Sequence, residues 1–402
     1  MQHSVGIGVL SMRQHAHLLF IRSVCFCLLL LALSNQVMSQ TDSTLTKICP
    51  ANSFQQRTPR FDPGGIILTT FDKAAIWVYD IDQDRRYPLP DTYPCGSNCR
   101  LSPDARWITY LDDENQTYAM MRLDGTERTP LINYAADVEW WSSDTLLVWT
   151  PGHEVYLQPL DGGEPTTLES RGVISVQPGG QWGLLLQQEN EQLTRTLVNL
   201  ETRNLPGIAE VRISLSPDIP YFNAARWSPD GTWLAYVGAG PFDTSVNREG
   251  GELFGIQPGE QVPTQWTDLS GNYGAVRING YASSALSWSP DSSLIAFWVI
   301  ELLGANPENN TGSAVIHVLD ATSGETRVYC GFSTGEHTPN PPRLVWSPDS
   351  THLAFGGNIP GDDKGYLLLA LDVDTGVFTE LSDGIFPALG SPDVIAWGLP
   401  PL

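Results

Sequence analysis

Residues 227–237 read Trp227-Ser-Pro-Asp230-Gly-Thr-Trp-Leu-Ala-Tyr-Val237, and the string returns as Trp288-Ser-Pro-Asp291 before SSLIAFW and as Trp346-Ser-Pro-Asp349 before STHLAFG. A fourth copy, Leu101-Ser-Pro-Asp104 before ARWITYL, has leucine in place of the aromatic. Weaker copies fill the gaps: Phe61-Asp-Pro-Gly64 before GIILTTF, Trp141-Ser-Ser-Asp144 before TLLVW, and Gln177-Pro-Gly-Gly180 before QWGLLL. Ser-Pro-Asp-Gly suits a tight turn, because proline presets the backbone at the second position and Asp and Gly tolerate the bend. The aromatic residue before the turn is expected to pack between neighbouring repeats.

Each copy continues alike, with a second apolar run, a polar turn and a third run, as in EVYLQPLDGGEPTTL and AVIHVLDATSGETRVY. Four short β-rich runs per unit, repeated around a ring, describe a blade of a β-propeller. The sequence predicts an all-β chain of seven four-stranded blades, with six or eight as neighbouring counts. Val394-Ile-Ala-Trp397 repeats the strand that precedes each motif, yet no further blade follows it. This strand is expected to join the first blade and close the ring.

Composition agrees with a large folded domain. The chain has 402 residues, 41% hydrophobic and 17% charged, with Gly 37 and Pro 30 disfavouring long helices. A formal charge of -23 argues against nucleic-acid binding, which needs Lys and Arg to displace counterions from phosphates. At the N-terminus, Arg13 and Arg22 precede the apolar run Cys25 to Leu33, and Val37 and Ser39 suit cleavage before Gln40. That layout predicts a signal peptide over 1–39, since the run falls short of the ~20 residues a spanning helix needs. Residues 40–56 are then an N-terminal extension, and the mature chain is expected to be a secreted or periplasmic monomer without a transmembrane segment. It retains Cys49, Cys95, Cys99 and Cys330, an even number in an oxidising compartment. Three pairings are open; one sets Cys95–Cys99 as a small loop and Cys49–Cys330 as a long-range tie.

The repeat resembles the Tol-type, TolB-like (WD40-like) propeller repeat, on the string W-S-P-D-G/S-x-x-L/I-A-F/Y followed by L-D-x-x-G. The likeness spans residues 57–402, with strong motifs in four units. It implies a disc of radial blades that works as a binding platform. No counterpart of the separate N-terminal α/β domain of TolB is evident, and its partner system does not carry over.

Strand parity points to a binding face. The first and third connections of a four-stranded blade share one face; the second connection and the link to the next blade share the other. The motif turn and the L-D-x-x-G turn read as short everywhere. Long second connections (238–251, 301–313, 356–365) and links (208–223, 270–284, 331–342) all fall on the opposite face, where elaborated loops carry binding. They bring Phe242, Asp243, Arg248, Trp266, Tyr273, Tyr281, Phe332, His337, Asp362 and Asp363, the candidate binding residues.

Catalytic motifs are weak. Gly331-Phe-Ser333-Thr-Gly335 matches a nucleophile elbow with Asp349 and His352 in hydrolase order, but the prolines that follow cannot start the helix that an elbow needs. Asp80, Asp82 and Asp84 alternate like a calcium loop, with Arg85 where the turn glycine belongs. The motif aspartates recur once per repeat, which suits turn building better than catalysis. No cofactor or metal is expected. The expected function is an exported, non-catalytic scaffold that binds a protein or cell-envelope component through the long-loop face. The alternative is an enzyme, a polysaccharide lyase or hydrolase, with its site in the central channel.

Overall fold

A computed structural model describes residues 39–40, 43–58, 61–72, 75–92, 99–112, 116–152, 154–168, 172–189, 192–202, 211–213, 225–239, 251–279, 286–303, 311–334, 341–359, 361, 363–383 and 394–401. The chain divides into two units, Met1–Ser39 and Gln40–Leu402, and the second is compact. In that unit seven small sheets, antiparallel among their blade strands, stand in a ring, a seven-bladed β-propeller.

Blades 2 to 7 follow chain order from the axis outwards. Blade 5, for example, is Ala225–Trp227, Leu234–Ala239, Gly251–Ile256 and Thr264–Gln265. Blade 1 takes its innermost strand from the other end of the chain, as expected: Val394–Gly398 pairs antiparallel with Ile66–Asp72, setting Val394 opposite Thr69 and Trp397 opposite Ile67. The Trp397 indole donates to Gly64 O at 3.0 Å, and Leu399 N donates to Ala105 O at 2.7 Å, which anchors the C-terminus to blades 1 and 2. A Cβ on Gly398 would lie 2.3 Å from the same Ala105 oxygen, so only glycine fits there.

The second and third strands of each blade are covered on both faces by neighbouring blades, and their sequences run nearly continuously apolar for that reason. Leu294–Leu302 of blade 6 is buried at seven of its nine positions. One face joins Trp298 and Ile300 to Leu353, Phe355 and Phe378 of blade 7; the other joins Ile295, Phe297 and Val299 to Ala235, Val237 and Leu253 of blade 5. Wedges between radial sheets widen outwards, and large rings fill them: Trp298, Trp266 and Trp397 are fully buried, each stabilising by about 3 kcal/mol through lost water contact.

The extension 40–56 runs along the rims of two blades. Thr44–Ile48 lies parallel to the outermost strand of blade 6, pairing Thr44 with Glu325 through Ile48 with Tyr329. Phe54–Gln56 does the same on blade 7, with Phe54 opposite Phe378. Between them Cys49 is bonded to Cys330, so a belt across two blade rims is covalently fastened to the ring. Cys99 is also disulfide-bonded; Cys95 lies outside the described residues.

Candidate functional site

The two faces of the ring are built differently. On one, the motif turns form a repeated device. Ser102, Ser228, Ser289 and Ser347 each donate to the Asp two residues on, at 2.5, 2.6, 2.5 and 2.6 Å. Each serine oxygen also accepts the backbone N–H of the fifth residue along, at 2.9 to 3.0 Å. The fourth turn residue takes a left-handed conformation: Ala105 (φ 56), Gly231 (φ 72), Ser292 (φ 65) and Ser350 (φ 65). The turns are then linked from blade to blade, with Asp230 N donating to Ser292 Oγ and Asp291 N to Ser350 Oγ, both at 3.1 Å. These hydrogen bonds hold the Asp230, Asp291 and Asp349 carboxyls below their ordinary value despite partial burial. The motif Asp therefore builds turns.

The second connections begin and end on the opposite face, where the strands they join are separated in sequence by 240–250, 303–310 and 358–366. One expectation needs correction. Val211–Ile213, inside the expected blade link 208–223, is instead the outer strand of blade 4, so the third connection of that blade, between Asn199 and Val211, is not a short turn. The link from blade 5 to blade 6 is also more structured than a loop. It holds a one-turn helix, Leu269–Tyr273, and an extra strand, Val276–Ile278, paired to Val299–Glu301. A fully buried carboxylate, Glu252, secures this link: it accepts from Thr267 Oγ1 at 2.6 Å, Leu269 N at 2.8 Å, and Ser270 N and Oγ at 2.9 and 2.6 Å. Burial raises the Glu252 carboxyl, and those four donors oppose the shift.

The candidate binding residues separate into three groups. Trp266 is a core residue, 2% exposed, packed edge-on against Trp233 and Trp288 at 5.2 and 6.4 Å. Phe332, 3% exposed, lies among Trp298, Phe355 and Phe378. Both come from links but turn inward to fill blade wedges, so neither offers a docking surface. Tyr273 is half-buried, and its hydroxyl meets His317 Nε2 at 3.0 Å. Asp363 is exposed. Phe242, Asp243, Arg248, Tyr281, His337 and Asp362 lie outside the described residues.

The channel holds a cluster that sequence reasoning missed. On the innermost strands, Arg100 of blade 2 lies 3.2 Å from Asp137 and 3.4 Å from Glu139 of blade 3. Arg226 of blade 5 reaches the same Glu139 oxygen at 3.2 Å, passing blade 4, whose inner strand Val173–Val176 presents the small, buried Ser175. Burial raises the Asp137 carboxyl; Arg100 opposes this and Glu139 adds to it. The available signal was positional. Arg100 and Arg226 are the residues immediately before Leu101 and Trp227, and Glu139 precedes Trp140.

Blade 3 obscured that signal. Its turn is one residue shorter than the others, with Trp141 N bonding Thr145 O, and side-chain parity along the inner strand shifts by one. Trp140 then takes the place that the motif aromatic holds elsewhere: its indole donates to Arg100 O at 3.1 Å, just as Trp288 and Trp346 donate to Arg226 O and Ser287 O, while Trp141 packs towards blade 4 and donates to Gly180 O.

The suspected catalytic and metal motifs resolve into structural contacts. Asp349 accepts from Ser347 and Thr351, and His352 Nδ1 meets the Thr351 hydroxyl at 2.7 Å. Asp80 accepts from Gln83 N and pairs with Arg85, Asp82 accepts from Gly65 N, and Asp84 pairs with Arg57, so the three carboxylates serve separate partners. Among the described residues no group of three or more His, Cys, Asp and Glu is placed to hold a metal ion, and no helix is long and apolar enough to cross a membrane.

Neither a protein-family model nor a curated protein matches the chain. Solved structures do. TolB from Acinetobacter baumannii aligns at 13% identity over 90% of this chain and 98% of that one, with a TM-score of 0.42. A functionally unknown protein from Desulfotomaculum acetoxidans aligns at 12% identity over 84% and 100%, with a TM-score of 0.46. Oligogalacturonate lyase in complex with manganese aligns at 14% identity over 80% and 86%, also with a TM-score of 0.46. Likenesses this distant include a lyase beside TolB and decide nothing about activity or partner.

Proposed function

We propose that the protein is an exported, TolB-like propeller platform that docks a protein or another envelope component on the face carrying the second connections and most blade links. The observation that supports this is the asymmetry of the two faces. On one, motif turns are hydrogen-bonded from blade to blade; on the other, the second connections of blades 5 to 7 span 240–250, 303–310 and 358–366 in sequence. Elaborated loops on a rigid scaffold are where binding residues concentrate. The alternative, a channel enzyme, needs an acid, base or metal set available to substrate, whereas Asp137 and Glu139 are both engaged by arginines. The acidic surface favours a basic partner, with association weakening as salt rises.

Replacing 240–250 by a Gly-Ser linker should abolish retention of the partner from a native envelope extract on immobilised protein. Replacing the turn 321–324 on the other face should leave retention intact. Retention that survives the first change and fails with the second contradicts the reading.

A further inference from the structure

On blade 2, a cavity of about 470 Å³ opens between the ends of the strands, lined by Tyr110, Asp112, Thr117, Arg128, Asn133 and Tyr134 among others. Backbone irregularities converge on its rim. Tyr134 has φ 60 and Gln116 has φ 51, both non-glycine residues in the left-handed region, and Tyr134 N bonds Gln116 O at 3.2 Å. The outer strand Thr129–Asn133 bulges between Pro130 and Ile132. A left-handed conformation is costly for a bulky aromatic, and bulges re-aim the side chains that follow them. Here both fall beside one cavity, and Tyr134 is 77% exposed, one of two large hydrophobic residues so exposed among those described.

We propose that this cavity is a binding site for a neutral pyranose unit, with the Tyr134 ring as its stacking platform. A pyranose has an apolar C–H face and a rim of hydroxyls, each both donor and acceptor. The site offers a matching set: an exposed aromatic face, a carboxylate acceptor in Asp112, an amide in Asn133, and hydroxyls in Thr117 and Tyr110. The Thr117 hydroxyl donates to Asn133 Oδ1 at 2.7 Å and so orients that amide. Arg128 is held to the rim by backbone carbonyls, Nη2 to Pro90 O at 2.7 Å and Nε to Gly125 O at 3.4 Å, which favours a positioning part over anion capture. The chain's charge of -23 further disfavours an anionic sugar. The site does not depend on the platform reading, because it needs no partner protein.

The test is saturation-transfer NMR on the full-length folded protein with cellobiose, N,N′-diacetylchitobiose and digalacturonate. At least one neutral disaccharide should show transfer. Tyr134→Ala should weaken that binding at least about tenfold, Tyr134→Phe should keep it within about twofold, and Asp112→Asn should weaken it about tenfold. Tyr134 is exposed, so its variants are expected to keep the wild-type circular dichroism. Silence from both neutral sugars, transfer from digalacturonate alone, or binding unchanged by Tyr134→Ala would each overturn the assignment.

Discussion

The guanidinium of Arg226 and the carboxylate of Glu139 meet at 3.2 Å although blade 4 stands between their own blades. Glu139 also lies 3.4 Å from Arg100, so one carboxylate ties blades 2, 3 and 5 around the axis. Both arginines and Glu139 keep some solvent contact, and each pair is correspondingly modest. Glu139→Gln should cost about 1 kcal/mol in urea unfolding. Arg226→Gln combined with it should cost clearly less than the sum of the single changes. Additive costs would show that the bridge is not coupled in solution.

Buried His317 supplies a pH signature. Its ring is 1% exposed, held between Tyr273 Oη and Val315 O, and burial pushes it down to about 4 from 6.5. The unfolded chain then binds a proton that the folded state refuses, so this contribution to stability is present above pH 6.5 and is lost as pH falls towards 4. The full effect is roughly 3 kcal/mol. Chemical unfolding between pH 4 and 7 should show a steeper fall for the wild type than for His317→Gln; equal slopes would refute the assignment.

The Cys49–Cys330 bond closes a loop of 281 residues in sequence and fastens the rim belt. Cys49→Ser should lower stability by roughly 2–5 kcal/mol and expose residues 40–56 to protease before the ring itself is cut. Unchanged proteolysis of that segment would mean the strand pairing alone holds the belt.

The motif turn is open to the same treatment. Asp291 accepts from Ser289 Oγ, Ser293 Oγ and Ser293 N. Asp291→Ala should cost about 1–2 kcal/mol, as the loss of a capping carboxylate does, without affecting partner retention. An equal loss of retention would move the binding surface to the turn face.

The ring was legible because its code is local. Ser-Pro-Asp turns between apolar runs write blades 2 to 7 in chain order, and Val394–Gly398 carries the signature of an inner strand with no blade of its own. The belt over Thr44–Ile48 and Phe54–Gln56 was not legible, since parallel pairing with strands near the other end of the chain, 324 residues away for Gln55 and Thr379, leaves no local trace. The inward turn of Trp266 and Phe332 was hidden for a related reason: wedge volume is a property of two blades, and a link can fill it as readily as a strand. In the Arg100–Glu139–Arg226 cluster both arginines sit one residue before their motifs, whereas Glu139 sits two before Trp141, because the shorter turn of blade 3 breaks the alignment that would have revealed it.

The claim that binding is one-sided is tested most directly by site-specific photo-crosslinking. A benzophenone amino acid is placed at Phe242 in one variant and at Ser323 in another, with irradiation in the native envelope fraction. A discrete crosslinked partner is expected from position 242 and none from position 323. Crosslinks from 323 alone, or equal yields from both, would contradict it.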